Sequence, residues 1–236
     1  LVGIFKDDSI GISLPSVKVK AGFGDISGII ATIKKTGLTF APEAGSKRLR
    51  KAIAKDFDED ALFDSLKEAY ALGYRHVKLY FMIGLPSEKE EDLDGIVDLA
   101  IRVSELRRQI IGSPAQVNLS INAFIPKPHT SFQWFSMQDK DMIMNKQEYI
   151  KNKIIKSRHK HIKFNFHNRY MSYLEGIFSR GDRRLGQVLL SAFRKGARFD
   201  SWSNRFNFQI WQEAFKDSGI DPDYYLKEKS LSEILP

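Results

Sequence analysis

Arg75-His76-Val77-Lys78-Leu79-Tyr80-Phe81-Met82-Ile83-Gly84-Leu85-Pro86-Ser87-Glu88 decides how the rest of the chain is read. Its first half is a dense run of β-formers between two helical patterns, which reads as a strand buried on both faces. The run stops at Gly84-Leu85-Pro86. Glycine there permits close backbone approach, and proline ends ladder donation. Ser87 then precedes Glu88, Glu90, Glu91 and Asp92, an N-cap candidate followed by negative charge in a first helical turn. A strand thus ends in a tight loop that feeds a helix. Such a loop is either an ordinary βα turn or a ligand site, since α/β folds gather ligands at the carboxyl ends of their strands.

Outward from this stretch the pattern repeats. Ile10-Gly11-Ile12-Ser13-Leu14-Pro15 alternates as a strand, and Ile26 to Lys35 carries a helical isoleucine stripe ending at Gly37. Leu38-Thr39-Phe40-Ala41-Pro42-Glu43 reads as a strand, followed by Ala44-Gly45-Ser46 and a basic helix from Lys47 to Lys55. Helices are expected over Asp58–Leu72, Leu93–Arg108 and Met142–Ile155. A buried strand is expected over Val117–Ile125, ending in Pro126-Lys127-Pro128-His129-Thr130. Strand–helix alternation implies a parallel α/β sheet with helical crossovers. Residues 1–160 form the α/β part. Residues 161–236 form a basic, aromatic accessory region, loop-rich and mainly helical, with a short helix from Phe208 to Phe215.

Composition narrows the function classes. The 236 residues are 42% hydrophobic, enough for one core with an appended module. No apolar run reaches the length of a membrane span and no signal peptide is evident, so a cytoplasmic protein without membrane partners is expected. The first residue is Leu1, which suggests a start inside a longer protein. Formal net charge is +8, which suggests affinity for RNA or another polyanion without establishing it. Lys140 to Arg169 holds nine Lys/Arg against two Asp/Glu, and Phe164, Phe166, Tyr170 and Tyr173 run through or beside it. Cysteine is absent, which rules out disulfides and cysteine-ligated clusters within this chain. The five histidines show no zinc spacing.

Three strand ends read together carry a resemblance: Phe40-Ala41-Pro42-Glu43-Ala44-Gly45-Ser46-Lys47-Arg48-Leu49-Arg50, Tyr80 to Glu88, and Phe124-Ile125-Pro126-Lys127-Pro128-His129-Thr130. In order and spacing they resemble the fourth, fifth and sixth strand ends of the radical S-adenosylmethionine (SAM) superfamily. The similarity is to its members with a cobalamin-binding-like region, whose carboxyl-terminal segments look like Phe178-Ser179-Arg180-Gly181-Asp182-Arg183-Arg184 and Phe199-Asp200-Ser201-Trp202. The resemblance implies a partial (β/α) TIM-like barrel with strands three to six visible here. It also implies a [4Fe–4S] cluster on a Cys-x-x-x-Cys-x-x-Cys loop that this chain does not contain. Alone, the chain is then inactive. The whole protein would use SAM, a reductant such as flavodoxin or ferredoxin, optionally cobalamin, and an unknown substrate attacked by a 5′-deoxyadenosyl radical. The competing class is a non-catalytic RNA- or polyanion-binding module on a degenerate scaffold.

SAM offers a carboxylate, a ribose diol and an adenine, and each needs a different group. The resemblance assigns Glu43 and Ser46 to the ribose and Lys55 to the carboxylate. The plain alternatives are Ser46 as a helix cap, Glu43 paired with Arg48, and Lys55 on a solvated face. Tyr80, Met82, Ile83, Gly84 and Pro86 would form the adenine floor, closed by Phe124 and Ile125, unless Met82 and Ile83 are simply core. Lys127 and His129 would contact an anionic substrate or donate a proton, or else be the polar tips of a proline-stiffened loop. Asp182 among Arg180, Arg183 and Arg184 is either an ion-pair network or part of a phosphate-binding arginine cluster.

Overall fold

A computed structural model describes residues 37–55 and 57–233. The strand expected at Ile10–Leu14 and the helix expected over Ile26–Lys35 lie outside the described residues. The strands are β1 (Leu38–Glu43), β2 (His76–Ile83), β3 (Gln116–Ala123) and β4 (Ile162–Phe166). The helices are α1 (Lys47–Ala52), α2 (Glu59–Ala71), α3 (Glu90–Ile111), α4 (Lys140–Lys156), α5 (Arg169–Arg180), α6 (Leu185–Arg194) and α7 (Phe208–Asp217). A 3₁₀ turn spans Pro222–Leu226. Contacts divide the molecule into two compact units. The first takes the described residues up to Ile83, with Ser87–Asn122 and Lys146–Phe166. The second takes Gly84–Pro86, Ala123–Asn145 and the chain from His167 onward.

The first unit is an α/β structure on a four-stranded parallel sheet in the order β1-β2-β3-β4. Sequential strands are spatial neighbours, as helical crossovers between parallel strands favour. β4 was not expected from sequence. It pairs with β3 from Val117↔Ile162 to Ile121↔Phe166 and extends the sheet past residue 160. The helices α2, α3 and α4 have ends that fall within a few residues of the sequence boundaries.

The strands are not buried on both faces. In β2, Val77, Leu79, Phe81 and Ile83 are buried, whereas His76 and Lys78 are exposed and Tyr80 and Met82 half-buried. In β3, Val117, Leu119, Ile121 and Ala123 are buried, whereas Gln116, Asn118 and Asn122 are exposed. Lys163 and Asn165 of β4 are exposed and sit beside Asn118 and Ser120 in the ladder. Side chains alternate across a strand, so one sheet face is apolar and the other polar and accessible. The apolar face belongs to a core that includes Leu62, Leu66 and Tyr70 of α2 and Leu93, Ile96, Leu99 and Val103 of α3. The two helices pack on each other, and the Tyr70 hydroxyl donates to the Val103 carbonyl at 2.9 Å. That bond satisfies a phenol whose pKa burial drives far up.

The second unit is helical among its described residues. Asn168 caps α5, its side chain accepting from the Tyr170 and Met171 amides. Tyr173, Leu174 and Ile177 bury one face of α5, which contacts the 3₁₀ turn. α6 buries Leu185, Val188 and Ala192, α7 buries Trp211, Ala214 and Phe215, and these two helices pack together. Arg180 at the end of α5 is buried, and its guanidinium donates to the Phe135 carbonyl at 2.5 Å and the Lys227 carbonyl at 2.9 Å. Burial pushes its pKa down. No helix among the described residues is long and apolar enough to cross a membrane.

Candidate functional site

Parallel pairing brings the carboxyl ends of β1, β2 and β3 to one edge of the sheet. At the end of β1 the register with β2 is irregular between Phe40 and Glu43. Glu43 itself has φ 68°, in the left-handed region that side-chain-bearing residues avoid. Such a backbone costs about 1–2 kcal/mol and concentrates where function holds it. The Glu43 carboxylate is 3.3 Å from Lys55 Nζ, with the two side chains 27% and 34% exposed. The structure therefore joins two of the residues assigned to SAM in one accessible pair. Arg48 is not the partner of Glu43. It pairs with Asp92 and donates to the Ser87 carbonyl at 3.0 Å.

Ser46 is fully employed in folding. Its hydroxyl oxygen caps α1 by accepting from Leu49 N–H at 3.1 Å, and the hydroxyl donates to Asp92. Asp92 also accepts from the Lys89 N–H at 2.8 Å, closing the first turn of α3. Burial drives the Asp92 carboxyl up. Hydrogen bonds from Ser46, the Lys89 amide and Arg48, with the Arg48 charge, more than reverse this and hold it below the ordinary range. Gly45 explains the spacing. A Cβ there would lie 2.0 Å from the Asp92 carbonyl oxygen and 2.6 Å from Ile96 N, while one on Gly95 would meet the Gly45 carbonyl at 2.5 Å. The Ala44-Gly45-Ser46 segment is thus shaped by backbone contact with α3. Arg50 completes the clamp, 2% exposed, donating to the Ala44 and Gly45 carbonyls and pairing with Glu59.

On the accessible sheet face, Lys78 Nζ lies 4.8 Å from the Tyr80 ring centroid, within cation–π range. Tyr80 and Met82 share this side, as their alternation with Phe81 requires. Ile83 does not: its side chain is fully buried with Leu79 and Phe81. Sequence reasoning missed Lys78, Asn118, Asn122, Lys163 and Asn165. Each alternates with a buried or half-buried apolar neighbour, and that period-two signal was present in the sequence.

The remaining assigned residues belong to the second unit. Gly84 is buried with φ 86°, and a Cβ there would meet Ile143 Cδ1 at 2.7 Å. The space beside its backbone is filled by Ile143, so the glycine serves the turn and this contact. Pro86 is half-buried. Phe124 is buried edge-on to Phe132, centroids 5.4 Å apart, and Ile125 is half-buried. Lys127 pairs with Glu175 at the surface. His129 is exposed with φ 59°, and its backbone N–H donates to Gln133 Oε1 at 2.9 Å. The arginine cluster divides: Arg180 holds carbonyls inside, and Arg184 pairs with Asp182 at 2.7 Å. Hydrogen bonds from Arg184 hold the Asp182 carboxyl below its usual value. Phe164 and Phe166 are half-buried on β4, their ring centroids 5.3 Å apart and their planes tilted by 44°, and Tyr173 is buried.

The fold and this edge define an α/β protein with a parallel sheet, one polar accessible sheet face and a strained acidic residue at a strand end. No family model matches the chain. It is similar to an uncharacterized protein of Methanocaldococcus jannaschii, with 31% identity over 223 residues, covering 90% of this chain and 47% of that relative. The chain spans about half the length of the curated relative it matches.

Proposed function

We propose that this chain is the carboxyl-terminal part of a radical SAM enzyme, and that the carboxyl-terminal edge of its parallel sheet holds SAM. The observation that carries this reading is Glu43: a carboxylate on a strained backbone at a strand end, accessible and paired with Lys55. All-parallel sheets are almost always covered on both faces, because crossovers place helices there. A parallel sheet with one polar, accessible face suits a partial barrel, whose ligands gather at the carboxyl ends of the strands. Tyr80, Met82, Asn118 and Asn122 lie on that face.

The chain's own residues fit the two polar ends of SAM. The Glu43 carboxylate can accept from both ribose hydroxyls, and Lys55 can pair with the methionyl carboxylate once Glu43 is engaged. Tyr80 and Met82 supply half-buried aromatic and thioether surface for the adenine. The residues do not fit the iron–sulfur cluster, because the chain has no cysteine, so its ligands belong to a part of the protein outside this chain. A cluster held there would supply an electron for reductive cleavage of SAM, while the residues of this chain would hold and orient the SAM.

The experiment is equilibrium binding of SAM to the longer, cluster-reconstituted protein. Glu43→Ala should weaken binding by about 10- to 150-fold, the worth of charge-assisted hydrogen bonds of roughly 1.5–3 kcal/mol. Ser46→Ala should instead act on stability, since its hydroxyl is spent on α1 and Asp92. Equal SAM affinity in wild type and Glu43→Ala would remove the strand edge as the site.

A further inference from the structure

We infer that the end of α6 and the loop after it form a docking platform for single-stranded nucleic acid. The observations are independent of the SAM reading. Phe193, Phe199 and Trp202 are 54%, 69% and 60% exposed, among the most exposed large apolar side chains described. Phe199 and Trp202 stack on each other with centroids 5.7 Å apart and planes 28° from parallel. Their loop is held by backbone bonds from Trp202 N to Phe199 O at 2.9 Å and from Arg205 N to Trp202 O at 2.8 Å. Phe199 has φ 57°, so the loop spends backbone strain while its rings face solvent. Aromatic surface displayed on a fixed loop marks an interaction site.

Charge decides the partner. Arg198 lies over the Phe193 ring at 3.3 Å, and its guanidinium donates to the Phe193 and Ala197 carbonyls. Arg194 follows Phe193 directly, and Arg205 is tied to Trp202 through the backbone. Among the described residues Arg194, Arg198 and Arg205 make no ion pair, and all three are exposed. Residues 183–205 contain six Lys/Arg and one Asp/Glu, and of the six Arg184 pairs with Asp182 and Lys195 with Glu213 and Asp217. Planar rings flanked by cations without carboxylate partners match the bases and phosphates of a single strand. Base stacking on such rings is tolerant of sequence, and phosphates take the arginines. A duplex keeps its bases stacked internally and offers these rings no faces. The exposed Leu189 and Leu190 of α6 would serve a second copy of the chain equally well, so self-association is the alternative outcome of the test.

The test uses the whole 236-residue chain and a fluorescein-labelled 12-nucleotide oligouridylate, with a duplex of equal length for comparison. Expected are binding at 50 mM salt, weaker binding of the duplex, and a log–log salt slope of about −2, as three phosphate contacts on a single strand require. Trp202→Ala and Phe199→Ala should each weaken binding by about 5- to 150-fold with the slope unchanged. Arg194→Gln and Arg205→Gln should each make the slope shallower by about 0.7. All four positions are exposed, and unchanged circular dichroism would confirm folding. The proposal is overturned by absence of binding at 50 mM salt, by variants that bind like wild type, or by sedimentation showing a dimer that Trp202→Ala dissociates.

Discussion

Gly45→Ala is the substitution whose cost the structure fixes most tightly. The added Cβ would lie 2.0 Å from the Asp92 carbonyl oxygen, 2.6 Å from Ile96 N and 3.0 Å from Gly95 C. All three atoms are backbone, so no rotamer relieves the clash. Reaching ordinary contact requires the first turn of α3 to retreat by about 1.4 Å, which stretches the bonds that Ser46 and Arg48 make to Asp92. Overpacking of this kind costs about 1–3 kcal/mol, and the weakened bonds to a buried carboxylate add about 1 kcal/mol. The loss of unfolded-state freedom on Gly→Ala returns about 0.4–1 kcal/mol. The net is a destabilisation of about 2–3 kcal/mol, or about 1 M in urea midpoint for a slope of about 2–3 kcal/mol/M. Circular dichroism at 222 nm follows the transition. Trp134, Trp202 and Trp211 all lie in the second unit, so tryptophan fluorescence should shift less than the dichroism. Gly186→Ala is the contrast: on α6, with nothing within 4 Å of its Cβ, it should stabilise by about 0.5–1 kcal/mol. A Gly45→Ala midpoint at or above wild type would refute the backbone contact.

Other consequences follow from the same contacts. Asp92→Ala strips partners from Ser46, Arg48 and the Lys89 amide and should cost about 2–4 kcal/mol in urea denaturation. Because the folded Asp92 carboxyl is held below its unfolded value, its stabilisation is present above the unfolded pKa. It is lost as pH falls through the folded one. Wild type should therefore lose stability on acidification faster than Asp92→Ala below about pH 4, and parallel pH profiles would contradict the assignment. Glu43→Gly releases the φ of 68° and should raise stability by about 1 kcal/mol despite loss of the Lys55 pair, while abolishing the carboxylate's contribution to SAM binding. A less stable Glu43→Gly protein would mean that the backbone there is unstrained. Arg180→Met leaves the Phe135 and Lys227 carbonyls without their donor and should cost about 2–4 kcal/mol, read by tryptophan fluorescence.

The sheet's first three strands and its long helices were legible because their periodicities are strong. Val77, Leu79, Phe81 and Ile83 announce β2, and Leu62, Leu66, Ala69 and Tyr70 announce α2. What the density of apolar residues in β2 obscured was the polar alternate set, His76, Lys78 and Tyr80, which makes one sheet face accessible. The same alternation in Gln116, Asn118 and Asn122 was legible but hidden by the expectation that parallel strands are buried twice. β4 escaped notice because Lys163 and Asn165 sit in a run of cations that reads as solvated. α5 and α6 were hidden by their arginines, although Tyr173, Leu174 and Ile177, and Leu185, Val188 and Ala192, keep helical spacing. At the site, the pairing of Glu43 with Lys55 rather than Arg48 depends on a long-range fact, the Asp92 carboxylate on α3 that captures Arg48. No local pattern encodes that choice. The burial of the Ile83 side chain was legible, since its parity with Phe81 already placed it in the core.

The most direct test of the central proposal is SAM cleavage by the longer protein, reconstituted anaerobically with iron and sulfide and reduced with dithionite. The account predicts 5′-deoxyadenosine formation that requires SAM, with the KM for SAM raised about 10- to 150-fold in Glu43→Ala and unchanged in a conservative surface variant such as Lys151→Arg. A folded, cluster-loaded protein that forms no 5′-deoxyadenosine, or a Glu43→Ala protein with the wild-type KM, would contradict it.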